Sequence, residues 1–358
     1  MVNSEKTQQL SSVDNNFSKL HDCVIGYIFS FLPIDDILRT SILSKRWKSF
    51  WTSIPDIVFD ETKYKLRSNM RISFFHSIET ILDLHSAPCI RKFSLILKDD
   101  SIGPFRVNSW VSTAISRKVQ ELDLSLDFSI VLPDSLFTSE SLNILKLNFG
   151  FKVPLSIQLP NLKTLHIRVR DNLSAQLLEK LFSSCPVIQE LTLHIDRLNN
   201  SEKITISSPT LKTLLVVCRD SSLRELEDFV MTIYAEKLSY LKFINCAIMK
   251  VLPCNLSSLH YAYIDEQTSI HGVKEIMVQH AINLLGGIHY VKFLTLSNDI
   301  LEYLSYEENL QVYLPEFRCL THLKVIWGEP DYTNHQVLNT ILQKSPNVES
   351  LEIPQVVI

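Results

Sequence analysis

The run Pro160-Asn-Leu-Lys-Thr-Leu-His-Ile-Arg-Val169 sets Leu162, Leu165 and Ile167 in a spacing of apolar, two residues, apolar, one residue, apolar, and alternation carries on to Val169. A period of two puts Leu165, Ile167 and Val169 on one face of a strand and His166 and Arg168 on the other. The phrase recurs at Leu142/Leu145/Leu147, Ile188/Leu191/Leu193 and Leu211/Leu214/Val216. Weaker copies stand at Ile90/Phe93/Leu95, Val119/Leu122/Leu124, Leu238/Leu241/Phe243, Leu256/Leu259/Tyr261, Val291/Leu294/Leu296, Leu320/Leu323/Val325 and Val348/Leu351/Ile353. In a chain that is 46% hydrophobic one copy means nothing, so regularity is the signal. The middle apolar position falls at 93, 122, 145, 165, 191, 214, 241, 259, 294, 323 and 351, and most steps lie between 20 and 29 residues. Pro88, Pro160, Pro186, Pro209 and Pro346 stand two residues ahead of five copies, where a fixed φ and a missing N–H suit the end of a return and the start of a strand.

Steps of that length are those of a leucine-rich repeat. Helical returns are expected at 175–184, where Leu177, Leu178, Leu181 and Phe182 share a face, and at 273–285. No strand-plus-return unit can bury its apolar side alone, so the units must stack. The expected fold is an α/β solenoid, a horseshoe with a parallel sheet on its concave face. Repeats span 89–288, and closing repeats and a cap span 289–358. In the cap, Leu338, Ile341 and Leu342 form a buried helix face and Val348, Leu351 and Ile353 a last strand. The places where such repeats carry a regular Asn hold Asp127, Gly150, Arg170, Asp196 and Arg219, so irregular curvature is expected.

Composition narrows function. A formal net charge of -4 supplies no global basic field for phosphate backbones. Seven glycines, with neither G-x-G-x-x-G nor G-x-x-x-x-G-K-[ST], leave little for cradling nucleotide phosphates. The first sixteen residues are polar, unlike a signal peptide, and no stretch reaches the ~18 apolar residues of a membrane span, so a cytoplasmic or nuclear protein is expected. Seven scattered cysteines without C-x-x-C spacing read as reduced and mostly buried. The eleven histidines lack metal-ligand spacing, and no nucleophile-base set or carboxylate pair stands out. The expectation is no catalytic residue, no metal, no cofactor, no nucleic acid and no membrane.

Residues 17–60 have a different texture, with 1–16 a polar tail ahead of them and 61–88 a helical linker behind. Asp22 can cap a helix carrying Val24, Ile25, Ile28, Phe29 and Leu32; Pro33 ends it, Asp35 or Asp36 caps a second, and a third begins near Ser44. The wording Phe17-Ser-Lys-Leu-His-Asp-Cys-Val-Ile-Gly-Tyr-Ile-Phe-Ser-Phe-Leu-Pro33 and Arg39-Thr-Ser-Ile-Leu-Ser-Lys-Arg-Trp-Lys48 resembles the three-helix F-box of the plant F-box/leucine-rich-repeat family. Val291–Ser297, Leu314–Leu323 and Leu338–Leu351 resemble the FBD region that closes many of those proteins. The family's Leu-Pro pair reads Leu20-His21 here, and an acidic position reads Cys23.

That resemblance implies a substrate receptor of a cullin-RING ubiquitin ligase, with the F-box docking a Skp-type adaptor and the repeats holding a protein substrate. The adaptor-binding candidates are Leu20, His21, Val24, Ile25, Ile28, Leu32 and Leu38. The alternative is a repeat scaffold whose degenerate F-box engages no adaptor. For substrate, outward strand positions are polar at Thr164, His166 and Arg168 and at Glu190, Thr192 and His194, but apolar in the next three copies. The patch Leu215, Val217, Tyr240, Ile244, Ala262 and Ile264 is the candidate substrate surface, against the reading that the segment 265–290 covers it.

Overall fold

The computed structural model describes residues 20–30, 32, 36–37, 40, 45–63, 68–98, 102–152, 154, 156–169, 175–196, 203–218, 230–246, 250–254, 256–266, 274–326 and 334–353. The chain divides into two compact units, 1–147 and 148–358.

In the first unit, helix α1 (Asp22–Ser30) starts at His21, whose carbonyl accepts from Val24 and Ile25 N–H at 2.9 and 3.1 Å. Helix α2 (Lys45–Phe50) packs Trp47 edge-to-face on Phe29, their centroids 5.3 Å apart, and Phe50 joins the same ring at 5.6 Å. Strand β1 (Asp56–Asp60) then pairs in parallel with β2 (Lys92–Leu97), aligning Ile57 with Phe93 and Phe59 with Leu95. These residues close the 17–60 segment that was expected to be wholly helical. Their backbone joins the repeat sheet, because Ile57 and Phe59 alternate in phase with the β2 core.

Between them, helix α3 (Ser68–Leu84) buries Phe74, Ile78, Ile81 and Leu82. Helix α4 (Pro104–Ser116) buries Val107, Trp110, Val111 and Ala114. Gly103 precedes α4 at φ 77°, a left-handed turn that an L side chain resists, and Pro104 opens the helix where a missing N–H costs nothing. Beyond β2 lie β3 (Glu121–Leu126) and β4 (Ile144–Asn148), in the order β1-β2-β3-β4.

In the second unit, the strands that repeat the apolar phrase form one parallel sheet. They are β5 (Thr164–Val169), β6 (Glu190–Ile195), β8 (Thr213–Cys218), β10 (Tyr240–Ile244), β12 (Tyr261–Asp265), β13 (Phe293–Ser297), β14 (His322–Ile326) and β15 (Ser350–Glu352). The missing numbers are returns that are themselves strands: β7 (Lys203–Ser207), β9 (Val230–Tyr234) and β11 (Lys250–Cys254), paired in parallel as a second, three-stranded sheet. Helical returns are α5 (Ala175–Ser183), α6 (Lys274–Gly287), α7 (Asn298–Leu304), the single turn α8 (Leu310–Tyr313) and α9 (His335–Gln343). The core is the inward row of the main sheet, including Leu165, Leu191, Leu214, Leu241, Leu294 and Leu323, all essentially inaccessible. The architecture is an α/β solenoid with an open parallel sheet.

Register corrects one copy of the repeat. Tyr240 pairs with Tyr261, Leu241 with Ala262 and Phe243 with Ile264, so the true phrase is Leu259-x-x-Ala262-x-Ile264, three residues later than Leu256/Leu259/Tyr261. A one-residue difference in strand phase swaps the faces. Ala262 and Ile264, expected to face outward, are core at 2% and 5% exposure. In the last copy Leu338 and Ile341 are buried as expected of a cap. Leu342 and Val348 are half-buried, and Leu351 is 40% exposed although it continues the row of Leu323.

Candidate functional site

The F-box segment presents α1 to solvent. His21 is the N-cap residue: its Nδ1 accepts from Cys23 N–H at 3.4 Å, and the Cys23 thiol lies 3.0 Å from the same nitrogen. The two positions that depart from the family wording thus act together in closing the helix terminus. The Arg46 guanidinium on α2 donates to the Leu20 carbonyl and the Asp22 carboxylate, tying the two helices at that end. In the basic run 45–48, Arg46 is thus a clamp.

Of the seven adaptor candidates, His21 and Val24 are exposed, while Leu20, Ile28 and Leu32 are half-buried. Ile25 is fully buried with Phe29, Ile37 and Trp47, so it builds the segment's own core. Helical spacing explains the division: Ile25 and Phe29 are i and i+4 on the inward face, and Val24 and Tyr27 are i and i+3 on the other. Tyr27, 68% exposed, is the large outward group that the sequence reading passed over. Leu38 lies outside the described residues.

On the open face of the second unit, Leu215, Tyr240 and Ile244 point outward and are half-buried, while Val217 is 9% exposed. Ile264 lines a small cavity with Cys246, His280, Ala281, Leu284 and Ile300. Helix α6, the helical part of the 265–290 segment, therefore covers that end of the proposed patch. The six residues are not one surface; four face outward and two are core.

What the register brings together instead is a row of rings. Tyr240, Tyr261, Phe293 and His322 align across β10, β12, β13 and β14. Successive centroids are 6.3, 4.4 and 4.6 Å apart, and Tyr261 and Phe293 are within 8° of coplanar. In the next row Lys242 Nζ sits 4.3 Å from the Tyr263 ring centroid, and the Tyr263 hydroxyl donates to Asp265 at 3.2 Å. The signal was available: each ring immediately precedes the middle core position of its copy.

Outward positions of other strands form ion pairs. Arg168 Nε donates to Asp196 at 2.5 Å, and in the first unit Lys92 Nζ meets Glu121 at 2.7 Å. Burial raises the Asp123 carboxyl above its ordinary range, against the pull of Lys146 and Lys92. Burial also pushes the Cys185 thiol up to about 12 and raises Cys246, whose Sγ is 3.4 Å from that of Cys218. Such thiols stay protonated and are poor nucleophiles. Among the described residues no group of three or more His, Cys, Asp or Glu is placed to hold a metal ion, and no helix is long and apolar enough to cross a membrane.

Short helices ahead of a parallel-strand solenoid with helical and strand returns define a leucine-rich-repeat protein with an N-terminal helical module. A family model described as "FBD-associated F-box protein At5g56370, LRR repeats" matches residues 107–251, and the F-box domain matches 17–58. F-box/LRR-repeat protein At4g14103 of Arabidopsis thaliana is 31% identical over 96% of this chain and 92% of its own length. F-box/LRR-repeat protein 13 of the same plant is 30% identical over 94% of this chain and 76% of its own length. An F-box/FBD/LRR-repeat protein of that plant, At1g78750, is 26% identical over 94% of this chain. The chain belongs to the plant F-box/LRR-repeat family, with an FBD-like C-terminal region, a family of adaptor proteins rather than enzymes.

Proposed function

We propose that the chain is the substrate-receptor subunit of a Skp-cullin-F-box ubiquitin ligase, working in the cytoplasm or nucleus, with α1 docking the Skp-type adaptor and the open sheet face of the repeats holding a protein substrate. The observation that carries the reading is the division of labour on α1: Ile25 and Phe29 close the segment's own core, while Val24 and Tyr27 stay in water. An exposed apolar pair on a module this small is what a partner surface would cover. The repeats contribute the other half, since a parallel sheet presents side chains of many strands side by side on a rigid frame.

The rival reading, a scaffold with a degenerate F-box, rests on His21 in place of Pro, with Cys23 the second departure beside it. Both are accommodated as helix-terminal groups, and the helix they start keeps its outward face. Affinity purification of the tagged chain, with adaptor and cullin quantified, separates the two. The receptor reading expects both at near-stoichiometric levels, and recovery of the folded chain with neither would favour the scaffold.

A further inference from the structure

We infer that the substrate segment held by the repeats is an acidic peptide, gripped along the ring row of β10, β12, β13 and β14. The inference rests on the receptor reading and names the chemistry of its substrate. Parallel strands lie ~4.8 Å apart, and the 4.4 and 4.6 Å separations of Tyr261, Phe293 and His322 match that spacing. The rings therefore use their faces on one another and present edges outward, Tyr261 with 47% of its surface open. Ring edges are the positive end of the aromatic quadrupole. They attract carboxylate and carbonyl oxygens, and the tyrosine hydroxyls can donate to the same acceptors.

Toward β8 and between the strands the flanking charges are basic, while the acids Glu349 and Glu352 border the row only on β15, beyond His322. Lys292 is exposed at the start of β13, and Lys212 occupies the equivalent place at the start of β8, where it meets only the Gln189 amide oxygen at 3.2 Å. Lys242 stands in the row beyond the rings. Among the described residues none of these three lysines has a carboxylate partner, whereas Lys324 is neutralised by Glu352 at 2.5 Å. The one acid in the outward rows of those four strands, Asp265, is 2% exposed. In a chain of net charge -4, a row of positive ring edges bordered by unneutralised lysines is complementary to an anionic ligand. The row spans three strand steps, ~14 Å, which four or five residues of extended chain would cover.

The test is selection of random 12-residue peptides displayed against the immobilised full chain, followed by binding measurements on synthetic winners. The expected result is enrichment of peptides with two or more Asp or Glu in a five-residue window. Their affinity should fall at least tenfold in a Lys242→Glu/Lys292→Glu variant and in Tyr261→Ala, both checked for an unchanged circular dichroism spectrum and melting temperature. It should also weaken with salt. Winners without acidic excess, undiminished binding by both variants, or binding that requires a phosphate group on the peptide would overturn the inference. Adaptor capture is measured on the same preparations. Adaptor bound without acidic-peptide selection refutes this inference and leaves the receptor reading standing, and acidic peptides bound without adaptor do the reverse.

Discussion

Replacing Val24 with Asp and Tyr27 with Ala removes the two large apolar side chains that α1 leaves exposed. Val24 is 41% exposed and Tyr27 68%, together about one full side chain of apolar surface awaiting cover. Full burial of one such side chain is worth ~1.5–3 kcal/mol, and a carboxylate forced into the same contact adds an unfavourable desolvation. The adaptor complex should therefore weaken by about 2–3 kcal/mol, roughly 30- to 150-fold in Kd. Neither side chain packs in the core of Ile25, Phe29 and Trp47, so the fold should not change. Titration calorimetry with a purified Skp-type adaptor gives the affinity, and thermal unfolding gives the control. A double variant with unaltered melting and a Kd within threefold of the parent would refute the assignment of this face.

Ile25→Ala, by contrast, should lower stability by about 2–4 kcal/mol through a cavity beside Phe29, read as a fall in melting temperature of the first unit. Ala262→Leu should destabilise by about 1–3 kcal/mol if the corrected register holds, whereas Leu at an outward position would be nearly neutral, so chemical denaturation decides between the two phases. Gly287→Ala should be costly too, since an added Cβ would meet three Pro253 ring atoms at 2.5–2.8 Å. Burial lowers the His85 pKa below 6.5, with its Nε2 donating to the Ile54 carbonyl at 2.8 Å and Arg117 opposing a second charge. The unfolded chain then binds the extra proton, and stability should decline as pH falls through 6.5, a decline that His85→Gln should lessen. Asp123 has the opposite sign: its raised pKa makes the ionised form costly, so Asp123→Asn should raise stability at pH 7 and lose that advantage as pH falls toward 3.8.

Much of this was legible in the chain. The recurrence of Leu-x-x-Leu-x-Leu fixes the inward row because large apolar residues at those positions have nowhere else to go. The method failed where a core position is small. Ala262 broke the pattern of large apolar residues and Tyr261 mimicked it, and only strand pairing reveals which one is buried. The second sheet was missed for a related reason: Lys203-Ile-Thr-Ile-Ser207 alternates like any strand, and periodicity cannot say that it lies behind the main sheet. In the F-box segment the wording identified the module, but the helical phase set by Trp47 and Phe50, which buries Ile25, is not written in it. The ring row was the least visible feature, because unequal repeat lengths hide residues that are neighbours only after the copies are aligned.

The three-stranded sheet of β7, β9 and β11 has a mechanical consequence. Where a repeat returns through a helix, the back of the unit is wider than its front and is joined to its neighbours by side chains, which slide and repack. Between β6 and β12 the backs are joined by backbone hydrogen bonds at the same spacing as the fronts. Flexing this stretch in either direction must stretch a ladder on one side or the other, so it behaves as a braced plate. The helix-backed stretch from β12 to β15 is more compliant. Under a pulling force on the second unit, the helix-backed repeats should yield first and the braced ones last, and β12, which carries Tyr261, lies at the junction between the two regimes.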